Sequence, residues 1–466
     1  MPIMLKVFLI MVLFWISCSV SAAEEHPEIN VTPKVALLDQ PVKIIISHLL
    51  PNQKITLHAS LTDQNNNIWA SFAVFKADNK GTVNVATEVP VAGSYKSADP
   101  MGLFWSMLPI NKKTTHYFIN GQAQSIVLTV TLENNPKILA QNTLHRILLA
   151  DNIERKSINE NGIIGTLFYP KNSKNLPGIV TLSGSGGGID EETSALLASH
   201  GYAVLALGYF GADGLPKTLE KINLEYFQKS MQWFKQQPQV KSDKVAVMGD
   251  SRGGELALLI AAMFPREVNA VIAYVPSNVV YGGIPFTNRP AWYLHNKPIT
   301  PFMGGLTSND PNLMVNDDLM NATKQGKIPF HKNTYDDPYD LSALFIAINN
   351  KNPTKFKKSE IPVEKIQCPI IIFAGADDKL WPSSYYSHLV MNRLNKKGST
   401  IEKSFIPFAN TGHEFLLPDL PAANLPYYHP VAKMWLSYGG TMEANARASE
   451  VSWLRTLNFL NKTFNR

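Results

Sequence analysis

Gly249-Asp250-Ser251-Arg252-Gly253 sets a serine midway between two glycines, the pattern that exposes a hydroxyl for nucleophilic attack. An apolar run, Val245-Ala246-Val247-Met248, ends at this pentapeptide, and a helix-forming run from Glu255 to Ala262 begins just beyond it. The order is strand, sharp turn, helix, with Ser251 at the apex. Gly249 and Gly253 omit the β-carbons that would collide with the neighbouring strand or helix. The turn pushes the hydroxyl out of the sheet edge and aims the positive end of the helix at whatever Ser251 attacks. The chemistry is acyl transfer through a serine ester.

A serine hydroxyl needs a base to take its proton, and the base needs a third group to fix its tautomer. In sheets with this elbow the chain order is serine, acid, histidine, each on a loop after a strand. After the strand ending at Ala374 comes Gly375-Ala376-Asp377-Asp378, and Asp378, fourth in Gly-x-x-Asp, is preferred to Asp377. After Phe405-Ile406-Pro407-Phe408 comes Gly412-His413, where the base belongs. Of the chain's 11 histidines, His388 reads as helical and His429 follows a Pro- and Tyr-rich stretch. The oxyanion formed on attack needs backbone donors. One is expected from the Arg252 amide, the other from Gly184, Ser185 and Gly186 in the loop Ser183–Gly188. No Lys-Ser/Thr follows that loop, and its glycine spacing fits neither phosphate nor dinucleotide binding. No metal-ligand cluster is visible, and this chemistry needs no cofactor.

These groups need a sheet to hold them. From about residue 150, buried strands alternate with helices: Gly178–Leu182, Ala203–Leu207, Val245–Met248, Ala270–Tyr274 and Ile370–Ala374. That predicts a mostly parallel sheet with helices on both faces, an α/β-hydrolase arrangement over 150–466. Phe227, Met231 and Phe234 form a core-facing helical stripe. Residues 283–360 break the rhythm and read as an insertion shaping a pocket, with Trp292, Tyr293, Phe302 and Met303 either lining it or serving equally as structural packing. Residues 28–148 differ: Ile55, Leu57, Ala59 and Leu61 alternate with polar neighbours, and turn signals recur, which predicts a β-sandwich.

At 466 residues the chain is too long for one ordinary core, so two domains are expected. Residues 1–23 read as a signal peptide: Lys6, an apolar stretch from Val7 to Ile16, then cleavage after Ala22 or Ala23. The expectation is an exported protein without a stable membrane span. Trp15 stands where a lipoprotein signal has leucine, so lipid anchoring at Cys18 is not expected. Cys368 is then alone, a structural thiol with no disulfide. A net charge of +6 without a basic, aromatic-interleaved run argues against nucleic-acid binding.

The chain resembles the family of acyl-CoA thioesterases and bile acid-CoA:amino acid N-acyltransferases. In the first domain the likeness rests on Val31-Thr32-Pro33, Leu38-Asp39-Gln40-Pro41-Val42 and Asp99–Ser106. In the second it rests on Ser194–Ala206, Leu215–Leu219, the elbow, Ile361–Ile366 and Gly375–Asp378. It implies a sandwich joined to a dienelactone-hydrolase-like domain, a small-molecule acyl thioester as substrate, and the roles already assigned to Ser251, Asp378 and His413. The amino-acid-transferring branch uses cysteine as nucleophile, so serine here implies water as the acyl acceptor. Export separates this chain from the intracellular pool of coenzyme A esters, which leaves other esters and thioesters as candidate substrates for an exported carboxylesterase.

Overall fold

The computed structural model describes residues 26–465 apart from 112–114, 116, 120, 122, 286–288 and 303–331. Residues 1–23, read above as a signal peptide, with Cys18, and Met303 therefore lie outside the described residues. The chain first builds two facing β layers. One holds Glu28–Thr32, Lys43–Ser47 and Val83–Asn84; in the other, Lys54–Thr62 lies between Ile68–Lys76 and Ala123–Leu132, with Asn135–Ile147 beyond. Ile55, Leu57, Ala59 and Leu61 are buried, as strand alternation requires of an inner face. The turn after this strand is fixed by Asp63, whose carboxylate accepts from the amides of Asn65 and Asn67 (both 2.8 Å) and from the Trp69 indole (3.0 Å).

The second domain is an α/β hydrolase. Its eight strands are β1 (Ile153–Glu160), β2 (Ile163–Pro170), β3 (Leu176–Leu182), β4 (Ala203–Leu207), β5 (Val240–Asp250), β6 (Ala270–Tyr274), β7 (Ile370–Gly375) and β8 (Lys403–Phe408). They are ordered β1-β2-β4-β3-β5-β6-β7-β8. From β4 to β8 every pairing is parallel, while β1 and β2 run antiparallel at one edge. Helices α1 (Glu191–Ser199), α2 (Glu225–Lys235), α3 (Arg252–Met263), α4 (Ser383–Lys396) and α5 (Met442–Phe464) cover the sheet. Burial on both faces is why β4, β6 and β7 read as unbroken apolar runs. Among the described residues no helix is long and apolar enough to cross a membrane.

One apolar cluster runs through both domains, joining Ile29, Leu57 and Trp69 of the sandwich to Ile179, Ala195 and Trp453 of the second domain. Asp39 fastens the junction by accepting from the Trp453 indole (2.7 Å) and pairing with His200 (2.5 Å). The buried Arg146 donates to the Leu38 carbonyl and pairs with Asp419 at 3.5 Å.

Of the aromatic residues singled out in the insertion, the described ones take packing roles. Trp292 and Phe302 are fully buried. Trp292 packs against Tyr209 and Phe227, and Phe302 against Tyr281 and Phe356. Tyr293, partly exposed, belongs to a small strand pairing with Asn223 and Pro298. These aromatic side chains fill the core of an irregular segment, because large rings bury most area where packing allows. Cys368 is buried and free, and burial pushes its thiol up to about 12, so it is not a nucleophile at neutral pH.

Candidate active site

Strand β5 delivers Ser251 to the sheet edge at φ 54° and ψ −118°, a conformation that costs a non-glycine residue energy and that the packing around it must enforce. The enforcement is visible. A β-carbon at Gly249 would collide with the Gly253 carbonyl, and one at Gly253 with the carbonyls of Leu182 and Ser183. The Ser251 amide donates to Tyr274 in β6 (2.9 Å), while the Ser251 carbonyl accepts from Glu255, opening α3 (3.0 Å). The elbow is locked from both sides.

His413 follows β8 and is held by its own backbone. Its amide donates to the Tyr438 carbonyl (2.8 Å), and the Gly412 amide to Asn445 of α5 (2.8 Å). Its Nδ1 lies 2.8 Å from Asp378 Oδ2, while Asp378 Oδ1 accepts from the amides of Leu380 (2.9 Å) and Trp381 (3.2 Å). With Asp378 ionised, Nδ1 carries the proton and Nε2 holds the lone pair. Asp377 turns elsewhere: it accepts from the Gly440 amide (3.0 Å) and pairs with Lys379 (3.1 Å). Burial alone would lower the His413 pKa, but the Asp378 charge and hydrogen bond, helped by Glu414 and Asp250, hold it above the usual value. Asp250 immediately precedes Ser251, so the two loops are close. Nε2 of His413 is buried with no hydrogen-bond partner among the described residues, which leaves it available to a hydroxyl or a water.

The glycine loop after β3 meets the elbow at Gly184. A β-carbon there would stand 2.6 Å from Asp250 Oδ2 and 3.4 Å from Ser251 Cβ. Ser185 and Gly186 continue the loop past the 427–429 segment. Ser185 Oγ is 2.8 Å from His429 Nε2, and Gly186 faces the Tyr427 hydroxyl. His429 Nδ1 accepts from the amides of Val431 (3.2 Å) and Ala432 (2.9 Å), so Nε2 carries its proton and donates to Ser185. Burial and Lys433 push His429 down to about 4; it stays neutral and braces the loop. His388 sits in α4 against Phe405, away from this chemistry.

Reading the sequence missed the support under Arg252. Its guanidinium donates to the Tyr281 carbonyl (3.2 Å), lies 3.5 Å from Glu255 and stacks over Trp292 at 5.9 Å. Glu255 also accepts from the Trp292 indole (2.9 Å) and the Tyr281 amide (3.4 Å). This buried pair ties the first turn of α3 to the insertion, which fixes the direction of the Arg252 amide. The only signal in sequence is an Arg and a Glu three apart at a helix start, too common to single out.

The arrangement has a serine on a strained elbow, a histidine locked at Nδ1 with Nε2 unpartnered among the described residues, and a glycine loop packed against the elbow at Gly184. A model described as the C-terminal part of BAAT and acyl-CoA thioester hydrolases matches residues 222–466, and one for their N-terminal region matches residues 39–160. Mitochondrial acyl-coenzyme A thioesterase 2 of Homo sapiens is 30% identical over 431 residues, covering 91% of this chain and 81% of that protein. Acyl-coenzyme A amino acid N-acyltransferase 2 of Mus musculus is 27% identical over 441 residues, covering 92% and 96%.

Proposed function

The chain belongs to the BAAT and acyl-CoA thioester hydrolase family, and from that premise we propose that it hydrolyses acyl thioesters with Ser251 as nucleophile, His413 as base and Asp378 as the acid that orients it. It is a hydrolase. The observation that carries the mechanism is the Asp378–His413 pair at 2.8 Å, which leaves Nε2 without a partner among the described residues.

His413 Nε2 takes the Ser251 proton as Oγ attacks the thioester carbonyl. The amide of Arg252 and the backbone at Gly184 donate to the oxyanion, with the positive end of α3 behind them. Collapse breaks the C–S bond, the proton on Nε2 goes to the leaving thiolate, and an acyl-Ser251 ester remains. Water, deprotonated by the same nitrogen, then releases the carboxylic acid and restores the serine. The sum is thioester plus water to acid plus thiol. Assay of the purified chain on a medium-chain acyl thioester, by thiol release, tests the reaction.

Only neutral His413 accepts the proton, and its pKa lies above the ordinary histidine value. Activity is therefore low on the acid side and rises with pH through a midpoint above about 6.5. A kcat/KM profile with its acid limb at or below that value contradicts the assigned base.

We also propose that residues 1–23 direct export and are removed. N-terminal sequencing of the protein from the exported fraction should begin at Ala23 or Glu24; a mature chain starting at Met1 inside the cell overturns this.

A further inference from the structure

The loop Ser183–Gly188 meets the elbow at Gly184, and glycines at 184, 186, 187 and 188 give its backbone wide conformational freedom. Its two ends are tied to the neighbouring strand. The Tyr209 hydroxyl donates to the Ser183 carbonyl (2.5 Å) and the Gly188 amide to the Phe210 carbonyl (2.9 Å), both just past β4. Inside the loop the Gly187 amide closes a turn onto the Gly184 carbonyl (3.2 Å). The Ser185 side chain is tied to a different part of the chain: its Oγ accepts from His429 Nε2 at 2.8 Å.

His429 is built to donate in that direction only. It is buried, and its Nδ1 is taken by the amides of Val431 and Ala432, so the one proton of the neutral ring sits on Nε2. With that proton directed at Ser185, the ring has no lone pair to offer Ser251. Its backbone is equally fixed. The His429 amide donates to the Met434 carbonyl (2.8 Å), and the Lys433 amide returns to the His429 carbonyl (2.9 Å). These close a hairpin in which Tyr427–Tyr428 pairs with Trp435–Leu436. The same segment runs on to Tyr438, whose carbonyl accepts from the amides of His413 (2.8 Å) and Lys379 (3.3 Å), and to Gly439, which bridges Asp378. Residues 427–439 therefore hold the glycine loop, the base and the acid at once.

We propose that His429 is a positioning residue of the oxyanion hole: through Ser185 it holds the glycine loop where the Gly184 backbone meets the charge developing on the carbonyl that Ser251 attacks. The hairpin then keeps that donor, the base and the acid at fixed distances from one another. This rests on the thioester hydrolysis proposed above. His429 exchanges no proton with the substrate; its contribution is preorganisation, which acts on the transition state and leaves ground-state binding alone. Removing a whole oxyanion donor costs about 10²- to 10³-fold in kcat. A loop loosened in its middle but still tied at both ends should lose part of that, about 10- to 100-fold.

The test is a cycle in the full chain: Ser185→Ala, His429→Asn, both together, and His429→Gln, whose amide nitrogen can reach the place of Nε2. Thiol release from decanoyl-CoA should show kcat down about 10- to 100-fold in each of the first two, with KM little changed. The double variant should be no worse than the poorer single one, because both remove the same contact. His429→Gln should regain most of the loss. Inhibition by a decyl trifluoromethyl ketone, which places an oxyanion on Ser251, should weaken in step with kcat/KM while decanoic acid binds as before, a split that general loss of structure does not produce. Parent-like kcat in Ser185→Ala, losses that multiply in the double variant, or ketone and acid weakened alike each overturn the inference. If the parent cleaves no thioester, the proposed function fails instead, and the rate of fluorophosphonate labelling of Ser251 decides the positioning alone. Slowing by about 10-fold or more in both single variants supports it, and unchanged labelling refutes it.

Discussion

Ser251→Ala abolishes thioester turnover, with kcat falling by about 10⁴- to 10⁶-fold, the range set by removing the nucleophile from comparable serine centres. The size of the effect follows from the chemistry. Without Oγ no acyl-enzyme forms, and direct attack by water keeps only the help of the oxyanion donors and the bound geometry. The fold should not suffer. Ser251 holds the elbow by its backbone, through its amide to Tyr274 and its carbonyl to Glu255, and neither contact involves the hydroxyl. Thermal unfolding of the variant should therefore match the parent while activity disappears. Retained turnover in a folded Ser251→Ala protein removes the mechanism.

The second large effect separates two adjacent residues. Asp378→Asn keeps the shape but reverses the hydrogen-bond logic: an amide nitrogen facing His413 Nδ1 moves the histidine proton to Nε2, where the lone pair is needed. A fall in kcat of about 10⁴-fold is expected. Asp377→Asn loses only a partly exposed pair with Lys379, worth about 0–1 kcal/mol, and weakens an acceptor for the Gly440 amide. Its kcat should stay within about 10-fold of the parent, since 1.4 kcal/mol is one decade. Steady-state kinetics on both variants checks this, and equal losses would mean that the Asp378–His413 contact is not used.

What the chain discloses by itself is local. The elbow is legible because an apolar strand, two glycines and a helical run are contiguous, and their order alone dictates a sharp turn with Ser251 at its tip. The β-sandwich shows through the alternation of Ile55, Leu57, Ala59 and Leu61, each buried as read. What escapes is anything made by contact across the fold. Asp39 meets Trp453 from 414 positions away, and His429 meets Ser185 from 244. For Trp292 and Phe302 the sequence left lining and packing open, because aromatic content in an insertion says nothing about which side of the chain faces the core; both are buried.

The direct test of the central claim is to treat the full chain with a fluorophosphonate, count the label by mass spectrometry and follow thioester hydrolysis in the same sample. One label per chain, located on the peptide carrying Ser251, with activity lost in proportion to labelling, is the expected result. A label elsewhere, or full activity in a chain labelled at Ser251, contradicts the assignment of Ser251 as the nucleophile.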